Sequence, residues 1–341
     1  MTDVARARGK ALFQLRSHVA RPRPIRVPPR EVDPPRQVGL IVHSLASNPG
    51  RIVNIARRVT QSIGAQLWVE FTSLAEPGRT QTVRLRHRGI DSLVVAGGDG
   101  TIRQSIEELV GSELPLGIVP VGSGNVLAAA LGLTGRRMPD QIRSAICGSL
   151  ADIDVGEVTC LQGDGQLRGP FHFCCMAGIG RDARTVQSTP RAAKKVMGPL
   201  AYGMAGLGQI LRSPMSMSWR VDDGDWHQGR DWTVLATNTP LVPGAHIVPG
   251  GVVLARDARM DDGRLDVVAV APHRPDEWIG IAAKGLLGST SSAPGLQYAQ
   301  GVSVQVRSAV PVAVQADGDI VSTHCSEFSA GIVGQVCIRV P

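Results

Sequence analysis

Apolar and polar positions follow two different rhythms along this chain. From Gln37 to about Leu150, short uninterrupted apolar runs take turns with longer stretches of mixed character. Residues 38–42, 66–71, 92–96 and 115–119 read as buried strands, and 52–63, 80–88, 102–109 and 126–131 as helices. That βαβα order predicts a parallel sheet with helices on both faces. After residues 153–158 the rhythm changes. Strand-like runs at 171–176, 217–221, 231–237, 252–255, 264–270, 301–307 and 310–316 are separated by Gly, Pro and Asp turns, with few helices between. This predicts an antiparallel sandwich or barrel. The expected organisation is a tail over residues 1–36, an α/β domain over 37–150 and a β-rich domain over 151–341.

Composition supports a two-domain globular chain. Its 341 residues are 43% hydrophobic, enough for a sizeable core, and 40 Gly and 23 Pro predict many turns. No apolar run approaches the ~20 residues that cross a bilayer, and no apolar signal segment opens the chain. The six cysteines show no C-x-x-C pair or metal-ligand spacing and read as reduced, buried small hydrophobes, which favours the cytoplasm. The net charge of +7 is uneven. Residues 1–36 hold nine Lys or Arg against three acids, leaving 27 against 26 in the rest. In that tail Val4, Ala11, Leu12, Leu15 and Val19 recur at helical spacing among Arg6, Arg8, Lys10 and Arg16, followed by six prolines between Pro22 and Pro35. Three readings stand: a solvated disordered arm, a basic arm against the anionic inner face of a membrane, and an organelle transit sequence. Nucleic acid is not an expected partner, because the arm lacks interleaved aromatics and the body carries no basic surplus.

Two glycine-rich loops carry the chemistry: Gly97-Gly98-Asp99-Gly100-Thr101 and Pro120-Val121-Gly122-Ser123-Gly124-Asn125. Each follows a predicted strand and precedes a predicted helix, where backbone N–H groups point at phosphate. Glycine there permits close approach of the backbone and, at Gly98, positive φ. Asp99 would sit amid phosphates, and a carboxylate beside phosphate needs a cation between them, which points to Mg²⁺. His172, His246, His273 and His324 form no metal constellation, and no G-x-S-x-G frame suggests a hydrolase.

These loops resemble the diacylglycerol kinase catalytic-domain superfamily, which includes bacterial diacylglycerol kinases and the sphingosine and ceramide kinases. The first motif is shared with NAD kinases and phosphofructokinases; the P-x-G-[ST]-x-N form of the second resembles the lipid-kinase branch. The segments 177–183, 199–203, 258–266 and 316–319 follow in the family's order, so the resemblance covers roughly residues 38–341. It implies a three-layer parallel domain of the NAD-kinase/phosphofructokinase type followed by a mainly antiparallel β-sandwich, with ATP in the cleft between them. It implies ATP and Mg²⁺ as cofactors and a lipid alcohol as acceptor, with diacylglycerol the default and sphingoid bases or another long-chain alcohol open. By resemblance, Gly97, Gly98, Asp99, Gly100 and Thr101 meet the phosphates and Mg²⁺, with Ser123 and Asn125 from the second loop and Thr72 near the nucleotide.

A hydroxyl is a poor nucleophile until its proton is accepted, so such a reaction needs a base. Asp317, in Ala316-Asp317-Gly318-Asp319, ends a predicted strand at a turn. The resemblance makes it the base, with Asp319 in place of the family's acidic partner, and makes Asp262 with the carbonyls of Arg259 and Arg264 the holder of a structural Mg²⁺. The residues alone read as Asp-Gly turns. The chain departs from the family at three places: His43 to Gly50 replaces an N-P-x-S-G-like loop, Arg103-Gln104 replaces Asn-Glu, and Asn125-Val126 replaces Asn-Asp. An NAD kinase-like enzyme and a nucleotide- or lipid-binding regulator with lost activity remain as alternatives, and a homodimer is left open.

Overall fold

The structure, a computed structural model, describes residues 25, 28–122, 124–181, 183, 213–242, 252–255, 257–287 and 294–341. Most of the basic tail, Ser123, His246 and the 199–203 motif lie outside the described residues.

Each apolar run of the first half forms a strand: β1 (Gln37–Val42), β2 (Gln66–Phe71), β3 (Ser92–Gly97) and β4 (Leu116–Pro120). They pair in parallel in the order β4-β3-β1-β2. The helices are α1 (Pro49–Ser62), α2 (Arg79–His87), α3 (Asp99–Glu107), α4 (Val126–Ala130) and α5 (Met138–Cys147). Side chains alternate across a strand, so both faces of this sheet need cover. Val38, Leu40, Val94 and Ala96 share one core with Ile52 and Ala56 of α1 and Ile142 and Ile146 of α5. Ile41, Leu93, Val95 and Ile118 share another with Leu85 of α2 and Ile102 and Ile106 of α3. The result is the expected helix–sheet–helix stack.

The second half is built from β5 (Ser149–Gln162), β6 (Leu167–Phe173), β7 (Met176–Gly180), β8 (Met215–Val221), β9 (His227–Asp231), β10 (Thr233–Thr237), a small ribbon of β11 (Leu241–Val242) and β12 (Val252–Val253), and β13 (Leu265–Val270). Helix α6 (Pro275–Leu287) precedes β14 (Leu296–Gly301), β15 (Ser303–Ala316) and β16 (Asp319–Val340). Pairing within this half is antiparallel. Val158, Phe173, Trp219, Val234, Val306, Val314 and Phe328 fill its core.

The structure differs from the sequence expectation in three ways that matter for the site. The strand expected over 171–176 is cut after Phe173, with Cys174-Cys175 between β6 and β7. The runs at 301–307 and 310–316 merge from Ser303 onward into one strand, β15, with register shifts between Arg307 and Val312, while Gly301 ends β14. And β16, whose Ser, His and Gly residues hide any apolar run, is a 22-residue strand. It pairs with β15 and β5 and, through Ile338 opposite Leu116, with β4. Fourteen strands of the described residues therefore share one hydrogen-bonded sheet. Because Val336, Ile338 and Val340 return to the core beneath α3, the turn that begins β16 is attached to the same sheet as the glycine loops.

Candidate active site

The first glycine loop is short. Strand β3 ends at Gly97, Gly98 is the extended residue before the helix (φ −95°, ψ 179°), and Asp99 opens α3. No side chain caps this helix, so its first-turn N–H groups keep their donors without a side-chain acceptor. In the second loop Asn125 is left-handed (φ 52°), and its side chain folds back on Gly122: Oδ1 accepts from the Gly122 N–H at 3.1 Å and Nδ2 donates to the Gly122 carbonyl at 2.6 Å. The two loops touch. A Cβ on Gly122 would lie 2.5 Å from Cα of Gly98, and one on Gly124 would lie 2.5 Å from Oδ2 of Asp99. None of Gly97, Gly98, Gly100, Gly122 and Gly124 has positive φ. Glycine is required here by close approach, which corrects the expectation of a left-handed Gly98.

Asp99 is engaged by the second loop. Its Oδ1 accepts from the Val126 N–H at 2.7 Å, so the first acid of α3 satisfies an orphan donor at the start of α4. Burial pushes its pKa up; the N–H groups of Val126, Asn125 and Leu127 oppose the rise, and the charge of Asp319 adds to it.

Asp317 comes from the other half of the molecule. It and Gly318 both have positive φ (47° and 85°) and link Ala316 to its cross-strand partner Asp319, a two-residue hairpin of the I′ kind. The Asp-Gly pair is therefore a turn as well as a carboxylate in the cleft. Oδ2 accepts from the Cys174 N–H at 2.7 Å, and Oδ1 from those of Cys175 and Met176, both at 2.9 Å. The break between β6 and β7 leaves the Cys174 and Cys175 amides outside both strands, and Met176, the first residue of β7, turns its N–H to the same carboxylate. Burial is the largest influence on Asp317 and pushes its pKa up to about 6, with the three N–H groups opposing and the charge of Asp99 adding to the rise. A carboxyl poised there is ionised at neutral pH and basic enough to take a proton.

Asp99 and Asp317 line one small cleft together with Ile102, Arg103, Ile106, Val126, Leu127, Cys174 and Cys175. Other expected residues hold the frame. Thr101 is buried against Gly97. Thr72 is buried and ties two loops, donating its N–H to the Val42 carbonyl and accepting from the Ser44 N–H at 3.2 Å. Asn48 caps α1 by accepting from the Arg51 N–H, and His43 occupies the strand end, so Asn48-Pro49 is a helix start. Asp262, Arg259 and Arg264 sit elsewhere, in the loop before β13. Asp262 Oδ1 accepts from the Arg264 N–H and Arg259 pairs with Asp261, while Asp154 accepts from the Gly263 N–H nearby. Sequence reasoning missed the Cys174-Cys175 break and the bridging of Arg103, described below. The amides of the former carry no side-chain signal at all.

The residues matched by known families agree with this layout. Residues 37–158 match the model described as the diacylglycerol kinase catalytic domain, and 175–331 match the YegS C-terminal NAD kinase beta sandwich-like domain. A Pseudomonas aeruginosa protein named "Probable lipid kinase YegS-like" is 30% identical over 292 residues, 85% of this chain and 89% of that protein. This chain belongs to the diacylglycerol kinase catalytic-domain family. The diacylglycerol kinase of Bacillus subtilis is 28% identical over 244 residues, 71% of this chain and 75% of the relative. A diacylglycerol kinase structure from Bacillus anthracis superposes with a TM-score of 0.63 at 16% identity, covering 90% of this chain and 97% of that one. This likeness establishes the fold: a parallel three-layer part joined to an antiparallel sandwich. Family membership makes the chain a kinase, whose kind use ATP.

Proposed function

We propose that this kinase phosphorylates the hydroxyl of diacylglycerol or a related long-chain lipid alcohol, with ATP held in the cleft between the glycine loops and the Asp317 turn. The observation that carries the reading is Asp317 itself: a carboxylate from the β half, fixed by three backbone N–H groups and held near pKa 6, lining the same cleft as Asp99 of the phosphate-type loop. The lining beside it is apolar, from Ile102, Ile106, Val126 and Leu127, which suits an acceptor with a lipid body.

The first loop fits a polyphosphate because it opens α3 at Gly98 with no side-chain cap, so the first-turn N–H groups have no side-chain acceptor. Gly97, Gly98, Gly100 and Thr101, with Ser123 and Asn125, would hold the phosphates through backbone donors, and Thr72 would fix the loop edge beside them. Asp99 would hold Mg²⁺. Bound MgATP supplies the phosphoryl group and the cation that spreads its charge. Asp317 accepts the proton of the acceptor hydroxyl as its oxygen attacks, and the apolar lining excludes water that would otherwise compete. Asp262, crowded by Asp154 and Asp261, would hold a second, structural Mg²⁺ with the carbonyls of Arg259 and Arg264. No helix among the described residues is long and apolar enough to cross a membrane; residues 1–36 are the candidate arm for meeting an acceptor at the bilayer surface.

The test is a panel of lipid alcohols with labelled ATP and Mg²⁺. Transfer to a glycerolipid or sphingoid alcohol supports the reading. Nucleotide binding without transfer to any alcohol would instead favour a regulator, the alternative suggested by Arg103, Gln104 and Val126 standing where the motifs this sequence resembles have Asn, Glu and Asp. Transfer to NAD alone would overturn the lipid assignment.

A further inference from the structure

One turn beyond Asp99, helix α3 carries an arginine whose two carboxylate partners come from opposite sides of the cleft. Nη1 of Arg103 donates to Oε1 of Glu107 at 2.9 Å, an i,i+4 contact along α3. Nη2 donates to Oδ2 of Asp319 at 3.0 Å, a residue 216 positions away in sequence. Asp319 begins β16 immediately after the Asp317-Gly318 turn. The side chains of Arg103 and Glu107 are 17% and 16% exposed, so water competes little at that end of the bridge, whereas Asp319 at the other end is 55% exposed. The same turn closes over the head of α3, where a Cβ on Gly100 would stand 3.9 Å from Oδ2 of Asp319.

This matters because the three amides that grip Asp317 all belong to the β half. They fix its direction, while Cys174 and Cys175 pack in the same core as Ile102 and Ile106 of α3 and give the turn an apolar tie to that helix. Arg103 connects the two directly, through a planar fork that serves two carboxylates at once; a lysine ammonium on a flexible stem has no such fixed geometry.

We infer that Arg103 is a positioning residue for phosphoryl transfer, bridging Glu107 and Asp319 so that the turn carrying Asp317 stays in register with the glycine loop at the head of α3. The inference rests on the kinase reading above. A displacement of about 1 Å in a reacting geometry costs on the order of 100-fold in rate, so the bridge acts on kcat while leaving nucleotide binding to the loops.

The experiment compares wild type with Arg103→Ala, Arg103→Lys, Asp319→Ala and the double Arg103→Ala/Asp319→Ala, on a soluble short-chain lipid alcohol. Its readouts are kcat, ATP affinity by calorimetry and melting temperature. The expected result is a loss of about 10- to 100-fold in kcat for Arg103→Ala, at unchanged ATP affinity, with part of it restored in Arg103→Lys. The double variant is expected to lose no more than Arg103→Ala, since both changes cut one bridge. If Arg103→Ala keeps wild-type kcat, or if the two losses multiply in the double variant, the inference is overturned while the kinase reading stands. A wild-type protein inactive on every alcohol overturns the kinase reading and this role with it.

Discussion

The two halves of the molecule hold their acids in opposite ways. The α/β half presents Asp99 at the head of one helix and satisfies it with the N–H of Val126 at the head of another, 27 residues on. The β half presents Asp317 at the tip of a hairpin and satisfies it with three amides 141 to 143 residues earlier. One grip is made by neighbouring loops of a repeated strand–loop–helix pattern. The other exists only because a strand is interrupted at Cys174-Cys175 and a later hairpin closes on the gap. The carboxylate of Asp99 is held by a donor of the neighbouring loop, whereas that of Asp317 depends on amides that only the folded chain brings to it.

The sharpest break of this comparison is Asp317→Asn. On the proposed reading the amide cannot accept the acceptor's proton, so turnover should fall by about 10²–10⁴ while ATP affinity, assigned there mainly to the glycine loops, stays nearly the same. Wild-type turnover in that variant removes Asp317 from the mechanism. A second substitution pair divides the glycine loops. Gly122→Ala places a Cβ 2.5 Å from Gly98 Cα and should cost about 1–3 kcal/mol of stability along with nucleotide binding. Gly98→Ala meets Gly122 Cα only at 3.4 Å, and should keep the fold while losing affinity for ATP. Equal melting temperatures for the two would show that the loops do not touch in solution.

The pH dependence of the two functions should run in opposite directions. Since Asp317 must be ionised and sits near pKa 6, kcat/KM should drop about tenfold per pH unit below that value; a flat profile from pH 7 to 5 argues for another base. For stability the sign reverses. Asp317, Asp231 and Asp266 are each raised from 3.8 to about 6 by burial, so the folded state holds their protons more tightly than the unfolded chain. Their stabilising contribution is complete below 3.8 and is lost as pH rises through about 6. Asp231, whose Oδ2 is buried without a hydrogen bond, gives the clean variant: Asp231→Asn should gain about 1 kcal/mol at pH 7, after allowance for solvent screening, and flatten the slope. Calorimetry from pH 4 to 7 decides it, and a steeper slope in the variant would contradict the sign.

The smallest effect concerns neither half. Deleting residues 1–36 should lower co-sedimentation with anionic vesicles and raise the apparent KM for lipid in vesicles, because each basic side chain near such a surface contributes about 1 kcal/mol at most and salt reduces it. Turnover on a soluble acceptor should not change. Equal vesicle binding by the truncated and full-length proteins at low salt would leave the arm as a linker.

How much of this was legible beforehand differs between the halves for the same reason. The strands of the parallel sheet announce themselves because a strand buried on both faces must be apolar throughout, as 38–42 and 92–96 are. The glycine loops are legible because close approach excludes every side chain. In the β half, strands with one face less buried are interrupted by Ser, Gly and His, and the longest of them, β16, went unseen together with α5 and α6. Asp317 was visible as an Asp-Gly turn, but its three amide partners were not, since every residue except proline carries the same N–H.

The sequence by itself determined the elements whose causes are local: the parallel strands, the places of the two glycine loops, the hairpin tip, and the presence of an acid in each half. Tertiary structure alone decided which of those acids share a cleft, that Asn48 is spent on a helix cap, that Asp262 lies apart from Asp317, and that Arg103 reaches Asp319 across 216 residues. Pairings of that kind depend on where a 22-residue strand returns the chain to the first core. Hydrogen-bond donors and opposite charges are too common along a chain for their chemistry to name their partners; only packing brings particular ones within 3 Å of each other.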